Sequence, residues 1–167
     1  MTPRVAIITV SFNHARFLAK WAAALSRLDY PSDAVKVFLV DNASADDTVE
    51  VAQSVLHFAF PSELIRNSVN TGFTGGNNLA IRRALAEGFD YVFLLNPDTR
   101  VTPAFLTEAI AVAESDPKIG ASIPASKIFV MISACLTSAA FRASTVAKRS
   151  KSLVTTPVKS SLMTDPL

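Results

Sequence analysis

One cysteine, Cys135, is the whole thiol complement of the chain. A single thiol excludes an internal disulfide and any cysteine-based zinc site. It fits a reduced, cytosolic setting. Glycine is also scarce, five in 167 residues, and all five lie at or before Gly120. Charge is nearly balanced at +2. Nothing in that balance calls for nucleic acid as a partner. Met1-Thr2-Pro3-Arg4 runs straight into a strand-like segment, with no basic and then apolar leader, so no signal peptide is expected. The apolar stretch Ile128–Phe141 is shorter than the ~20 residues a membrane-spanning helix needs, and Lys127 and Pro124 block its extension backwards. No transmembrane helix is expected.

What is present is apolar. Half of the residues are hydrophobic and 18% are charged, which excludes a disordered chain. The length suits one domain with a real core. The average hides a break. Residues 1–120 hold 10 Lys+Arg and 13 Asp+Glu, whereas residues 121–167 hold 6 Lys+Arg and one acid, Asp165. The later part also carries 14 Ser or Thr. We therefore expect a domain over residues 1–121 and an atypical Ser/Lys-rich tail over 122–167. A frameshift or gene truncation would produce such a tail. A membrane-associating tail is the competing reading, with Arg142, Lys148, Arg149 and Lys151 following the apolar stretch.

Short apolar runs alternate with helical patterns along the first part. Val5–Val10, Val35–Val40, Leu64–Asn67 and Tyr91–Leu95 read as strands, and Ile119-Gly120-Ala121 as the start of another. Phe17, Leu18, Trp21, Ala24, Leu25 and Leu28 recur at helical spacing. A second helix is expected from Asp46-Asp47 to about Leu56, where acids suit the first turn. A third follows the glycine-rich loop Thr71–Asn78 and ends at Gly88. A fourth begins near Thr102-Pro103 and closes at Asp116-Pro117. This alternation predicts an α/β fold with a mostly parallel sheet and helices on both faces. Right-handed crossovers then bring the carboxyl ends of the strands to one rim. Four polar loops share that rim: Ser11–His14, Asp41–Ser44, Gly72–Asn78 and Asn96–Arg100.

Chemistry can be read from these loops with alternatives left open. Pro97 cannot donate to a sheet ladder, so the strand before it stops and Asn96 and Asp98 project from its end. A carboxylate beside an amide oxygen suits Mg2+ or Mn2+ carrying a diphosphate. Asn-Pro-Asp is equally a good turn. Asp41 can accept hydrogen bonds from a nucleobase or ribose, or it serves as a helix cap or Asx-turn. Gly72, Gly75 and Gly76 permit close approach of backbone to a ligand. Their spacing fits neither the dinucleotide fingerprint nor the P-loop. Asn77 and Asn78 either meet hydroxyls or cap the next helix. Phe12 lies against a base or in the core. Arg66, Arg82 and Arg83 approach phosphates or are solvated surface.

Taken together, Val5–Asn13 (VAIITVSFN), Val40–Thr48 (VDNASADDT), Asn67–Asn78 (NSVNTGFTGGNN) and Leu94–Val101 (LLNPDTRV) resemble the family 2 glycosyltransferases, nearest to their rhamnosyltransferase-like branch. The resemblance covers about residues 4–121. It implies a GT-A, Rossmann-like nucleotide-diphospho-sugar transferase fold, here incomplete. It also implies an inverting, metal-assisted transfer of sugar from a nucleoside-diphosphate sugar, either dTDP-rhamnose or a UDP-sugar. The acceptor would be a polysaccharide or a lipid-linked molecule, in cell-wall polysaccharide biosynthesis. By the same resemblance Val10 and Phe12 lie by the nucleobase, and Asp41 with Asn42 binds base or ribose. Gly72, Gly75, Gly76 and Asn77 border the donor pocket. Asp98 is the main contact to Mg2+ or Mn2+, with Asn96 where the family has the first Asp of its Asp-x-Asp motif. A cytoplasmic protein, peripheral to the inner membrane face, is expected. The general base belongs to the family's second half, and no residue after Ala121 offers one. The chain is therefore expected to be inactive alone, a binding module or a gene remnant being the alternatives.

Overall fold

A computed structural model of the chain describes residues 1–57, 60–115, 121–123 and 126–131, the last two stretches as backbone. Strand β1 (Val5–Ser11) is followed by helix α1 (Ala15–Leu25) and a short 3-10 turn, Ser32–Ala34. Next come β2 (Val35–Asp41), α2 (Thr48–Val55), β3 (Ser62–Arg66), α3 (Gly72–Ala86), β4 (Tyr91–Leu95) and α4 (Phe105–Ser115). Strands β5 (Ala121–Ile123) and β6 (Ser126–Met131) complete the described elements. The sheet order is β3-β2-β1-β4-β6-β5, parallel throughout except for the β5–β6 pair.

The apolar runs form strands because both sheet faces are covered. Every residue of β4 is buried, as expected where helices pack on both sides of a parallel sheet. One face carries Val5, Ile7, Val37, Leu39, Tyr91 and Phe93 against Leu18, Trp21 and Leu25 of α1 and Phe105 and Leu106 of α4. The other carries Ala6, Ile8, Phe38, Val40, Val92 and Leu94 against Ala80 and Ala84 of α3. The small alanines let α3 lie close to the sheet. The order of strand succession reverses at β1: β2 and β3 lie on one side of it and β4 on the other. The crevice between the carboxyl ends of β1 and β4 is thus a topological switch point.

Helix α3 ends as its sequence dictates. Gly88 takes φ +73. The Phe89 N–H donates to the Ala84 carbonyl and the Gly88 N–H to that of Leu85. These are the paired bonds of a Schellman cap. The Arg4 guanidinium donates to the carbonyls of Glu87 and Gly88 and lies 4.5 Å over the Phe89 ring. A cation there also meets the negative end of the helix dipole.

Two expectations need correction. The stretch Thr71–Asn78 is not a loop before a helix, since α3 begins at Gly72. Gly76 serves close packing of the helix on the sheet: a Cβ there would sit 2.9 Å from Val10 Cγ1. One strand, β6, lies beyond the boundary drawn at residue 121, inside the segment read as a Ser/Lys-rich tail, and its second half overlaps the apolar stretch Ile128–Phe141. The helix stop at Asp116-Pro117, residues 119–120 of the final strand, Cys135, the rest of the Ile128–Phe141 stretch, the basic residues after it and Asp165 lie outside the described residues.

Replacing Gly88 by Ala keeps the Schellman bonds only in a left-handed conformation that costs an L-residue roughly 1–2 kcal/mol. Gly88→Ala is expected to lower unfolding stability by about 1 kcal/mol in urea titration, with no change in the slope of the transition.

Candidate functional site

Four loops meet at the carboxyl ends of β1, β2 and β4 and the amino end of α3. Ser11 and Asp41 are register partners at the ends of β1 and β2. The Asn42 N–H donates to the Ser11 carbonyl at 2.8 Å, and the Asn67 N–H to the Asp41 carbonyl at 2.9 Å. The ladders therefore run one step past the strands and carry the loops with them. Helix α3 reaches the same rim at Val10, while its other end lies by Arg4. The sheet thus unites the rim loops as the alternation of elements implies.

At the end of β4 the Thr99 N–H donates to the Asn96 carbonyl at 3.0 Å. Asn96-Pro97-Asp98-Thr99 is therefore a β-turn with Pro97 and Asp98 at its centre. The turn reading and the ligand reading coincide here. Pro97 and Thr99 are buried, Asn96 is half-buried and Asp98 is exposed, so the turn holds its carboxylate outward on a fixed base. Among the described residues no group of three or more His, Cys, Asp or Glu side chains is placed to hold a metal ion. Asp98 and Asn96 offer hard oxygens, but too few for a closed all-protein cage. That donor set fits Mg2+ or Mn2+ bound through one carboxylate together with phosphate oxygens of a ligand.

Asp41 is 3% exposed. Its Oδ2 accepts the Ser44 N–H at 3.3 Å, so the Asx-turn alternative is realised. Its Oδ1 is buried with no protein partner, as are Thr9 Oγ1, Ser11 Oγ and Thr99 Oγ1. Buried polar atoms without a partner are rare in folded proteins. Here all four sit on the last residues of β1 and β2 or just after β4. One of them, Asp41 Oδ1, is an acceptor only and can be satisfied only by a donor.

The loops after β1 and β2 interlock. The Asn13 N–H donates to Ser44 Oγ at 3.0 Å, and the Ala45 N–H to Asn13 Oδ1 at 2.8 Å. The His14 N–H donates to Thr48 Oγ1. Asp46 accepts from the Thr48 hydroxyl, the Thr48 N–H and the Ala15 N–H. The desolvation that Asp46 undergoes would raise its pKa, but these hydrogen bonds outweigh it and hold the exposed carboxyl below its ordinary range. Both loops contain a non-glycine residue at positive φ, Asn13 at 56° and Ala43 at 65°. Alanine gains nothing locally from that conformation, so Ala43 stores strain that the interlocked bonds sustain.

The remaining candidates fall into two groups. Phe12 is 42% exposed and so is not core. Val10 is half-buried against Gly76. Gly72 takes φ +71 with open space where a Cβ would stand. Gly75 is packed on Thr71, its added Cβ falling 2.6 Å from Thr71 Cβ. Asn77 is buried, and its Nδ2 donates back to the Phe73 carbonyl within α3. Arg83 pairs with Glu63 near the helix end away from the rim, so it does not approach the rim site. Arg82 is exposed. Asn67, Asn70 and Thr71 gather around Asn42. Their close spacing in Asn67–Thr71 was the one available sign of this cluster.

The sequence profile of glycosyl transferase family 2 matches residues 6–135, which passes beyond residue 121. No curated protein matches the chain. Among solved structures the chain is similar to mannosyltransferase PcManGT from Pyrobaculum calidifontis in complex with GDP-Man and Mn2+. The TM-score is 0.65 at 25% identity, over 72% of this chain and 34% of that one. It is also similar to S. aureus TarS 1-349 in complex with UDP-GlcNAc, with a TM-score of 0.60 at 18% identity, over 67% of this chain and 31% of that one. The TarS likeness is one of fold. These likenesses agree with the expected GT-A architecture, of which the chain covers part. The chain spans about a third of the length of either structure.

Two outcomes follow for the interlocked loops. Ala43→Gly relieves the left-handed strain and loses some chain entropy, for a net gain of roughly 0.5–1 kcal/mol in unfolding stability. A loss of stability would show that the loop holds no strain at Ala43. The lowered pKa of Asp46 gives stability that is present above about pH 4 and lost as pH falls through the folded-state value. In acid titration monitored by circular dichroism, Asp46→Asn should flatten that limb by lowering stability at neutral pH toward its acid value.

Proposed function

The chain belongs to glycosyl transferase family 2, and from that membership we propose that it is the donor side of a glycosyltransferase that binds a nucleoside-diphosphate sugar at the switch-point rim. The observation that carries this reading is the presence of two acceptors at the carboxyl ends of β2 and β4, the two strands that flank β1. Asp98 stands outward on its turn after β4, and Asp41 keeps an unpartnered oxygen at the end of β2.

In this reading Asp41 Oδ1 accepts an N–H or O–H from base or ribose, and Phe12 lies by the base. Asn96 and Asp98 hold the divalent cation, Mg2+ or Mn2+. When bound, it supplies Lewis-acid neutralisation of the diphosphate as the glycosidic bond breaks. The Gly72 end of α3 places the positive end of its dipole at the same rim. The mannosyltransferase neighbour carries GDP-Man with Mn2+ and the TarS neighbour UDP-GlcNAc, which supports a nucleoside-diphosphate sugar as the ligand class. A dTDP-rhamnose donor is the finer part and rests on the resemblance of the rim motifs. Inverting transfer to a polysaccharide or lipid-linked acceptor, at the cytoplasmic face, belongs to the same proposal. No helix among the described residues is long and apolar enough to cross a membrane.

Single displacement needs a base to take the acceptor proton. Asp165 is the one acid after residue 121, in the part we propose to be distinct from the donor domain. This favours a second reading for the chain by itself, binding of the donor without transfer.

Calorimetric titration of the full chain with UDP, GDP and dTDP, with and without Mn2+, tests the proposal. Mn2+ should tighten at least one nucleotide by about tenfold, close to 1.4 kcal/mol, and Asp98→Ala should remove that gain. A metal-dependent gain that survives Asp98→Ala refutes the metal assignment. Absence of binding by all three refutes the nucleotide reading.

A further inference from the structure

The amide of Asn42 has no capacity left for a ligand. Asn42 is 2% exposed. Its Nδ2 donates to Asn70 Oδ1 at 2.7 Å and to the Gly72 carbonyl at 3.1 Å. Three donors converge on its Oδ1: Asn67 Nδ2 at 2.9 Å, and the Thr71 N–H and Thr71 Oγ1, both at 3.1 Å. An asparagine amide has two N–H donors and two lone pairs, so both ends are fully used within the protein.

Backbone partners fix the orientation of this amide. The Thr71 N–H can only donate, so the atom facing it is Oδ1. The Gly72 carbonyl can only accept, so the atom facing it is Nδ2. Asn70 is fixed in the same way, because its Oδ1 also accepts the Gly72 N–H at 2.8 Å. The network therefore does not depend on how any amide is turned.

All these partners lie in one segment, Asn67 to Gly72, which leads from β3 into α3. Asn42 itself is anchored, since its N–H donates to the Ser11 carbonyl at the end of β1. We propose that Asn42 is a positioning residue. It ties the central strand ends to the leading turn of α3 and sets where that turn stands on the rim, and it does not contact the ligand. This departs from the expectation that Asn42 binds base or ribose beside Asp41. The functional half of the proposal rests on the nucleotide-sugar reading of the rim, and the structural half does not.

The chemistry makes one substitution informative. Asn42→Asp keeps an oxygen for Thr71 and Asn67 but sets its second oxygen against the Gly72 carbonyl and Asn70 Oδ1, two acceptors. An aspartate at this site would suit a ligand N–H if Asn42 were a contact residue. If it is a positioning residue, the aspartate breaks the link to α3.

The test uses the full chain and two readouts. Amide hydrogen exchange of the free protein should quicken about tenfold at Thr71, Gly72 and Phe73 in Asn42→Ala and in Asn42→Asp, with β1 and β4 unchanged. Unchanged exchange at Thr71 and Gly72 overturns the proposal. In titrations with UDP, GDP and dTDP plus Mn2+, both variants should weaken every nucleotide that binds by a similar factor, about tenfold, the scale at which outer partners of a ligand site act. A changed ranking among nucleotides, or tighter binding by Asn42→Asp, identifies a direct contact and overturns it. Asn70→Ala, a change at an exposed residue, keeps the test open should the Asn42 variants fail to fold. It should quicken Gly72 exchange in the same sense, and combining it with Asn42→Ala should weaken nucleotide binding less than additively. Should the wild-type chain bind none of the nucleotides, the functional reading falls while the exchange arm still decides the role of Asn42.

Discussion

Strand β1 is held in parallel ladders on both sides at once, and the rim depends on those two registers. Ser11 ends opposite Asp41, and Ile8 stands opposite Leu94. A slip of one residue would turn every side chain to the other face. Ile7 and Phe93 would then exchange faces with Ile8 and Leu94, all of which are buried. Asp41 would move to the α3 side of the sheet. The apolar core therefore fixes the chemistry at the strand ends, although none of its residues takes part in that chemistry. The unpartnered oxygens of Thr9, Ser11 and Asp41 are the polar continuation of the same buried rows.

Helix α3 is the second determinant, and it is located from both ends. At the rim Gly76 meets Val10 and Asn42 clasps the entry to the helix. At the far end Arg4 covers the last carbonyls. Between them Lys36 pairs with Glu63 and Glu87, and Glu63 with Arg83, through side chains 20–48% exposed. Exposed pairs of that kind contribute about 0–1 kcal/mol. Close packing and capping therefore place the helix, and the ion pairs add little. The site inherits its precision from contacts that a ligand never touches.

The sheet and its rim were legible because strands buried on both faces read as apolar runs, and because Pro97 and Gly88 punctuate the chain in only one sensible way. The start of α3 was not legible. Gly75 and Gly76 read locally as a loop, yet both lie within α3, at positions where Thr71 and Val10 leave no room for a Cβ. Ala43 gave no sign of its left-handed backbone, which follows from bonds to a loop some thirty residues away. The saturation of Asn42 was hidden for the same reason, since its partners lie 25–30 positions along the chain. Strand β6 was not legible because it lies in a segment of changed composition and becomes a strand by pairing with β4, some thirty residues earlier in the chain. Of the candidate site, the residue types at Asp41, Asn96 and Asp98 were readable. Which of the neighbouring polar groups face inward was not, because that is set by tertiary contacts.

Paramagnetic broadening by Mn2+ in the amide spectrum of the nucleotide-loaded chain tests the central claim, that the strand-end loops form one donor site, most directly. Broadening should centre on residues 96–100 and extend in graded fashion to Phe12, Asn42 and Gly72, with Arg4 and Gly88 at the opposite end of the sheet left sharp. Broadening centred elsewhere, or confined to the 96–100 turn with the other three loops unaffected, would contradict the account.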